Sequence, residues 1–180
     1  MKTKLFLGLL LLVLTAVPAA RADFFALDLD AQGGYLRLDG IEHPDTFAAS
    51  TLSGGTVGVR GKLEILFLSL FVDYQHMFSN ADFLHAGLGA DFSLPLGIVE
   101  PYVKGSVGLM MLAADGGAFD PEAQAKLEAV AGFQVRAGAG LDIPLGDWFA
   151  IGAGVDAGYH YITGKSGWDL SVVGYLGLRI

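Results

Sequence analysis

The chain of 180 residues is 53% hydrophobic and only 17% charged, with 26 glycines, no cysteine and a formal net charge of -8. The missing cysteines exclude disulfides, thiolate metal sites, a cysteine nucleophile and a lipid-modified N-terminal cysteine. The acidic balance argues against nucleic acid as a partner, because nucleic-acid binders need clustered Lys and Arg. The length allows one domain. A chain of this composition is either an unusually apolar soluble protein or a membrane β-barrel.

The first 22 residues have the layout of a secretory signal peptide. Lys2 and Lys4 provide the positive start, and Leu5 to Val17 provide an apolar core that is too short to span a membrane comfortably. Ala20-Arg21-Ala22 then places small residues where a signal peptidase requires them. We expect cleavage after Ala22, which leaves one domain over residues 23–180. No segment of that domain approaches the roughly 20 apolar residues of a membrane-spanning helix.

From Phe24 onward the dominant pattern has a period of two, which is typical of strands with two unlike faces. The second candidate strand, residues 56–65, shows it most clearly. Later candidates with the same alternation are 66–75, 84–94, 99–111, 133–143, 149–161 and 168–180. In the first candidate strand the apolar residues switch from odd to even positions after Gly33-Gly34, as Leu36 and Leu38 show. A β-bulge would produce such a switch. The sequence therefore predicts eight strands.

The connections between these strands alternate in length. Tight turns are predicted at 64–67, 95–97 and 146–147, and longer or polar stretches at 39–54, 79–82, 113–131 and 163–167. The turn at 64–67 is the least distinct, because its residues are apolar and carry no turn chemistry. Short turns at one end, longer loops at the other and an even strand count are the layout of bacterial outer-membrane barrels. The prediction is an all-β fold, an eight-stranded antiparallel up-and-down transmembrane β-barrel.

The direction of the apolar face distinguishes a soluble barrel from a membrane barrel. The polar face is rich in Gly, Ser and Asp, which suit the narrow interior of an eight-stranded barrel. Strands of about 10 to 13 residues match a tilted membrane crossing. Aromatic residues of the apolar face gather near the strand ends, as two belts at headgroup level would. Those toward the loops are Tyr74, Phe78, Phe133, Tyr159, Tyr161 and Trp168, and those toward the turns are Phe92 and Phe149.

Three segments, Pro101–Gly108, Gly138–Leu145 and Gly152–Tyr159, resemble the small eight-stranded outer-membrane barrels of the OmpA-like and OmpW-like transmembrane type. The resemblance implies secretion through the inner membrane, location in the outer membrane of a Gram-negative cell, and both chain ends in the periplasm. It also implies contact with outer-membrane lipid and lipopolysaccharide, and insertion by the barrel assembly machinery. Such barrels usually end in Phe or Trp, so Ile180 gives a weaker assembly signal than expected.

Charged residues of both signs lie on the face that the barrel would turn inward. The predicted lumen charge network comprises Arg60, Lys62, Asp73, Asp91, Glu100, Lys104, Arg136, Asp142, Asp156, Asp169 and Arg179. In a confined, poorly solvated lumen these charges must pair or remain hydrated. A structural plug of salt bridges is favoured over an ion path, because eight strands leave little bore. The acidic excess would bias any residual leak toward cations.

Three local patterns resemble known binding or catalytic motifs but lack residues that those motifs require. Asp28 to Gly33 with Asp39 imitates a calcium loop but lacks its strong ligands and its helices. Residues 164–166 imitate a phosphate loop whose earlier glycine is misplaced. His76 and Ser79 resemble the His-x-Ser-Asn stretch of the outer-membrane lipid A deacylases, but their spacing places them on opposite faces of a strand, and an acidic partner is missing. We predict no catalytic residue, no metal site and no cofactor.

The favoured function is that of a non-enzymatic, monomeric barrel with a structural or surface-interaction role, presenting the mostly acidic loops 39–54 and 113–131. The alternative is a narrow channel or conduit for small hydrophobic molecules, as the OmpW-like resemblance implies. A conduit requires an apolar-lined pocket in the outer half of the lumen. The sequence predicts small or polar residues there, such as His85, Gly108 and His160. The conduit is therefore ranked second, and a lipid A-modifying enzyme third.

Overall fold

The computed structural model describes residues 25–41, 51–79, 81–114, 129–162 and 164–180. Its strands are β1 Ala26–Asp39, β2 Thr51–Ile65, β3 Leu68–Met77, β4 Ala81–Ser93, β5 Glu100–Ala114, β6 Ala129–Leu145, β7 Phe149–Ile162 and β8 Lys165–Arg179. Each strand pairs antiparallel with the next, and β8 pairs with β1, which closes the barrel. The predicted eight-stranded up-and-down barrel is confirmed. No helix in the described ranges is long and apolar enough to cross a membrane.

The two ends of the barrel carry different connections. At the turn end, β2–β3, β4–β5 and β6–β7 are joined by residues 66–67, 94–99 and 146–148. At the loop end, the connections are residues 40–50, 78–80, 115–128 and 163–164. The larger parts of the predicted loops 39–54 and 113–131 lie outside the described residues, as does the predicted signal peptide. The strands are 10 to 17 residues long, so several exceed the expected 10 to 13.

Backbone conformation explains why one turn gave little sequence signal. Gly97 and Gly146 have φ values of 86° and 79°, which glycine adopts without the steric penalty of a side chain. Leu66 has a φ of 61° and is the first central residue of a two-residue hairpin turn, a position usually held by glycine. The pairing of Ile65 with Leu68 fixes the hairpin on both sides of this turn. Cross-strand pairing therefore sets this turn against local preference.

The predicted β-bulge at Gly33-Gly34 is wrong. The pairing of β1 with β2 is continuous, with Gly33 opposite Val57 and Gly34 opposite Thr56. Leu36 and Leu38 therefore point into the lumen, where both are fully buried. The register therefore stays constant, and the apolar residues at even positions show that the inner face of β1 changes from polar to apolar along the strand.

The outer face of the barrel is apolar around its circumference. The mid-strand residues Val57, Leu88 and Val155 are 49%, 56% and 46% exposed. Such a surface far exceeds the apolar patches of soluble monomers and matches a lipid-facing band. Closure of the sheet also meets the requirement that lipid imposes, since it leaves no unpaired strand edge. The barrel is accordingly of the transmembrane type.

The mid-strand position of Val155 gives a direct test of the lipid-facing surface. Val155→Arg is expected to destabilise the barrel by about 2–4 kcal/mol, because a guanidinium at the bilayer midplane loses its hydration. Ser166→Arg, on the outer face at the loop end, is the control and should cost about 0–1 kcal/mol. Urea unfolding in phosphatidylcholine vesicles measures both values. Equal costs at the two positions would contradict a lipid-facing Val155.

Candidate functional site in the barrel lumen

Alternation along the strands places every residue of the predicted charge network on the inner face. Three more acidic residues share this face, Asp28, Asp30 and Glu64. These three were not predicted as part of the network, because Asp28 and Asp30 belong to the segment that resembles a calcium loop and Glu64 to a predicted turn. The alternation with apolar residues along β1 and β2 could have placed them on the inner face. In the structure Asp28 lies opposite Lys62.

The turn half of the lumen holds two multiply paired cations. The Nζ atom of Lys62 lies 3.0 Å from Asp28 and 2.8 Å from Asp91. It also contacts Glu64. The second cation, Arg179, donates a hydrogen bond to Asp142. It also lies 3.6 Å from Glu100. Each cation therefore links carboxylates that belong to different strands.

The middle of the lumen holds three further ion pairs. Arg60 and Asp73 pair at 2.9 Å between neighbouring strands, and Asp73 also accepts a hydrogen bond from Gln32. Lys104 pairs with Asp156 at 3.0 Å. Arg136 pairs with Asp169 at 2.8 Å, and Gln134 donates to the same carboxylate at 2.6 Å. The side chains of Arg136 and Asp169 are 5% and 0% exposed, so this pair is buried.

Several of these contacts pass over a glycine of the strand between the two partners. Arg136 on β6 and Asp169 on β8 both lie level with Gly158 on β7. Lys104 on β5 and Asp156 on β7 lie level with Gly138 on β6 in the same way. A Cβ atom at Gly158 would be 2.2 Å from the Oδ2 atom of Asp169, and one at Gly138 would be 1.9 Å from the Oδ1 atom of Asp156. These glycines leave the space through which long side chains reach across a strand.

The same arrangement accommodates two tyrosines. Tyr175 on β8 donates a hydrogen bond to Asp142 on β6, across Gly152 on β7. Tyr102 packs against Gly140 and Gly154, where an added Cβ would lie 2.4 Å from its hydroxyl oxygen. Inner-face glycine is therefore a packing requirement of this lumen.

The space left between the charged side chains is small. A cavity of about 40 Å³ is lined by Phe71, His85 and the charged residues Arg60, Lys62, Asp73, Asp91, Lys104, Arg136 and Asp156, with backbone of β5 and β6. This volume has room for a few water molecules. Buried polar atoms without a protein partner lie in the adjacent layer, including the side-chain oxygens of Gln75 and Gln134. Such atoms are usually hydrated, so we expect bound water in this layer of the lumen.

The loop end of the lumen is apolar. Its apolar cluster consists of Leu36, Leu38, Ile41, Met77, Ala81, Phe83, Met110, Leu112, Val130 and Ile162, with Leu52 packed against it. The expectation that small or polar residues fill this region is wrong. Residues 109–112 are apolar on both faces of β5, so a period of two could not show that Met110 and Leu112 point inward.

Residues at the boundary join the apolar cluster to the charged layer. His85 is buried with its ring 4.8 Å from Phe71 and 6.4 Å from Phe83. The guanidinium of Arg136 lies over the Phe83 ring, 5.2 Å from its centre. Of the residues first assigned to the outer half of the lumen, His85 and His160 are buried directly below the apolar cluster.

Solved structures with the same architecture support this description. The structure is similar to Neisserial surface protein A, with a TM-score of 0.56 and 14% sequence identity over 88% of this chain and 97% of that chain. It is also similar to the N-terminal β-barrel domain of Pseudomonas aeruginosa OprF, with a TM-score of 0.50 and 14% identity over 86% and 97%. The chain has the fold of the small eight-stranded outer-membrane β-barrels. No protein-family model and no curated protein matches the sequence.

As in a lipid-embedded barrel, aromatic side chains on the outer face concentrate near the two ends. The loop half carries Tyr74, Phe78, Phe133, Tyr159, Tyr161 and Trp168, and the turn half carries Phe92 and Phe149. Tyr159 and Trp168 form an edge-to-face pair with ring centres 5.0 Å apart. Phe67 and Trp148 extend the set at the turn end and are 67% and 59% exposed. These two were not predicted as belt residues, because both lie in turns, outside the alternating strand pattern.

His76 has an acidic partner, contrary to the sequence analysis. Asp82 lies directly opposite His76 in the β3–β4 hairpin, and its Oδ1 atom is 2.9 Å from the Nδ1 atom of His76. Both side chains are on the outer face, whereas the Ser79 hydroxyl lies beside the inner-face position Gly54. The described residues therefore bring together a histidine and a carboxylate without the serine of a catalytic triad. They contain no group of three or more His, Asp or Glu placed to hold a metal ion.

The glycine positions in the lumen give a second test of the fold. Gly158→Ala is expected to destabilise the barrel by about 1–3 kcal/mol, because the new methyl group overlaps the Arg136–Asp169 pair. Gly174→Ala is the control for the loss of a strand glycine, since Gly174 lies on the outer face and its added Cβ meets no atom closer than 3.9 Å. Urea unfolding compares the two variants. A neutral Gly158→Ala would show that the pair does not depend on this gap.

Proposed function

We propose that this protein is a non-enzymatic, non-conducting barrel of the Gram-negative outer membrane, with a structural or surface-interaction role. The observation that carries the proposal is the filling of the lumen, by paired charges in its middle and turn half and by the apolar cluster at its loop end. A protein that transports solutes through its lumen would need a continuous path, and one that acts at the surface would not.

The chemistry of the lumen supports the lack of conduction. Ion passage needs a hydrated route, and hydrophobic constrictions block it by excluding water. The apolar cluster contains fully buried side chains from several strands, among them Leu38, Phe83 and Met110. Below it, the basic side chains Arg60, Lys104 and Arg136 are each paired with a carboxylate. Both features favour a closed lumen.

The placement in the membrane follows from the outer face. An apolar band with aromatic residues toward each end suits lipid on all sides, including lipopolysaccharide in the outer leaflet. We infer that the chain is secreted by a signal peptide, is inserted by the barrel assembly machinery, and works as a monomer with its loop end outside the cell. Partners of the surface would then meet loops 39–54 and 113–131.

Planar-bilayer recording tests the closed lumen. The wild-type barrel is expected to give no resolved conductance steps. A triple variant, Leu38→Ala with Phe83→Ala and Met110→Ala, is expected to give a small, cation-favouring leak, because it removes the apolar barrier and exposes an acidic lumen.

The control for this recording is Leu109→Ala with Met111→Ala. It shortens exposed outer-face side chains of β5, the strand that carries Met110. It should remain silent in the bilayer. All three proteins are first checked for a heat-dependent gel shift, so that only folded barrels are recorded. Steps from the wild-type barrel would refute the proposal.

A second candidate function, the acceptance of small hydrophobic molecules, is favoured by the apolar cluster. This cluster supplies the apolar lining in the outer half of the lumen that a conduit requires. The methionines provide a test. Met77 and Met110 belong to the cluster and are fully buried, whereas Met111 is 44% exposed on the outer face.

Methyl NMR of the barrel in lipid nanodiscs separates the two candidates. If the lumen accepts hydrophobic molecules, added naphthalene will shift the Met77 and Met110 methyl signals in a saturable way and leave Met111 as the control. A closed structural barrel gives no saturable shift at Met77 or Met110, and only Met111 senses naphthalene dissolved in the lipid. A saturable shift at the two lumen residues would favour the second candidate over the first.

A further inference from the structure

Three polar side chains form a cluster on the mostly apolar outer face. This outer-face polar cluster consists of Tyr74, His76 and Asp82, from the loop-end halves of β3 and β4. His76 is the residue before the last of β3, and Asp82 is the second residue of β4. The cluster therefore lies where the strands leave the apolar band, at the level of the lipid headgroups.

The hydrogen bonds of the cluster converge on one carboxylate oxygen. The Tyr74 hydroxyl and the His76 Nδ1 atom each lie 2.9 Å from the Oδ1 atom of Asp82. An ionised carboxylate can only accept, so the tyrosine hydroxyl and the Nδ1–H group of His76 are the donors. In the tautomer that carries its hydrogen on Nδ1, the other ring nitrogen, Nε2, is an acceptor, and 37% of the His76 side chain is exposed. Oδ2 of Asp82 adds further acceptor capacity.

The charge of the cluster sets it apart on this surface. Within the described strands, the other charged side chains at outer-face positions are Arg37 and Asp39, on β1. These two pair with each other at 3.0 Å. Among the described residues, Asp82 contacts Tyr74 and His76, and no Lys or Arg side chain lies within ion-pair distance of it.

Aromatic rings flank the carboxylate. The rings of His76 and Phe78 meet edge to face with their centres 6.2 Å apart, and Phe78 is 68% exposed. Tyr74 supplies a second ring on the other side of the hydrogen-bonded pair. A carboxylate attracts ammonium groups and repels phosphate, and it accepts hydrogen bonds only from groups that carry N–H or O–H.

We propose that Tyr74, His76 and Asp82 form a binding site for a lipid headgroup that carries N–H or O–H donors, either a primary ammonium or a sugar hydroxyl. The headgroup donates to Asp82 and to the Nε2 atom of His76 while its acyl chains lie along the apolar outer face. The inference rests on the membrane location proposed above. It can fail separately, because a barrel that inserts into lipid can still lack any headgroup preference.

Native mass spectrometry of the folded, detergent-released barrel tests the site. Three lipids with the same acyl chains are titrated: phosphatidylethanolamine, phosphatidylcholine and a glucosyl diacylglycerol. The ethanolamine and choline lipids carry the same net charge and differ in N–H donors. We expect the barrel to retain at least one donor lipid about tenfold more tightly than phosphatidylcholine, the difference that one charge-assisted hydrogen bond produces.

Variants assign this preference to the cluster. Asp82→Asn should abolish it, and Asp39→Asn, the control carboxylate on the same face, should leave it unchanged. Preference for phosphatidylethanolamine alone identifies an ammonium, and preference for the glucosyl lipid alone identifies a hydroxyl. Equal retention of all three lipids by the wild-type barrel would overturn the proposal. That comparison needs no variant, so misfolding of Asp82→Asn leaves the test intact.

Discussion

The narrow bore of an eight-stranded barrel is the constraint on which the rest of this structure depends. Inward side chains nearly fill such a lumen, so each long side chain needs space that its neighbours leave free. Here the space comes from glycines of intervening strands, as Gly158 shows between Arg136 and Asp169. The resulting contacts connect strands that share no backbone hydrogen bonds, and they bring buried charges within reach of partners that offset part of their desolvation.

This constraint also explains the layering of the lumen. Charges can be buried only where partners and a few waters are available, and the small cavity lies among them in the charged layer. Toward the loop end the lumen changes to aliphatic and aromatic side chains, which need no polar partner. Phe83 and His85, neighbours on the inner face of β4, mark the transition. The same strand therefore contributes to an apolar layer and to a polar one within two residues.

Much of the fold could be predicted from the sequence because alternation is a local signal. The strands, the glycine turns and the inward direction of residues such as Arg60 and Asp156 follow from a period of two. The apolar cluster could not be predicted in this way, because apolar residues at Met110 and Leu112 erase the contrast between the faces. The contact of His76 with Asp82 depends on the register of a hairpin, which alternation leaves open.

The two faces of the loop end reverse the usual chemistry of a membrane barrel. Inside, where polar residues are expected, the side chains are apolar, and outside, where lipid is expected, Asp82 forms hydrogen bonds with Tyr74 and His76. Apolar side chains in the lumen need no polar partner, and they leave the lipid-facing surface unchanged. A carboxylate on the outside is tolerated only at the strand ends, where headgroups and water replace hydrocarbon and the desolvation cost is small. The loop-end halves of β3 and β4 therefore contribute to both clusters, with Met77 and Phe83 inside and His76 and Asp82 outside.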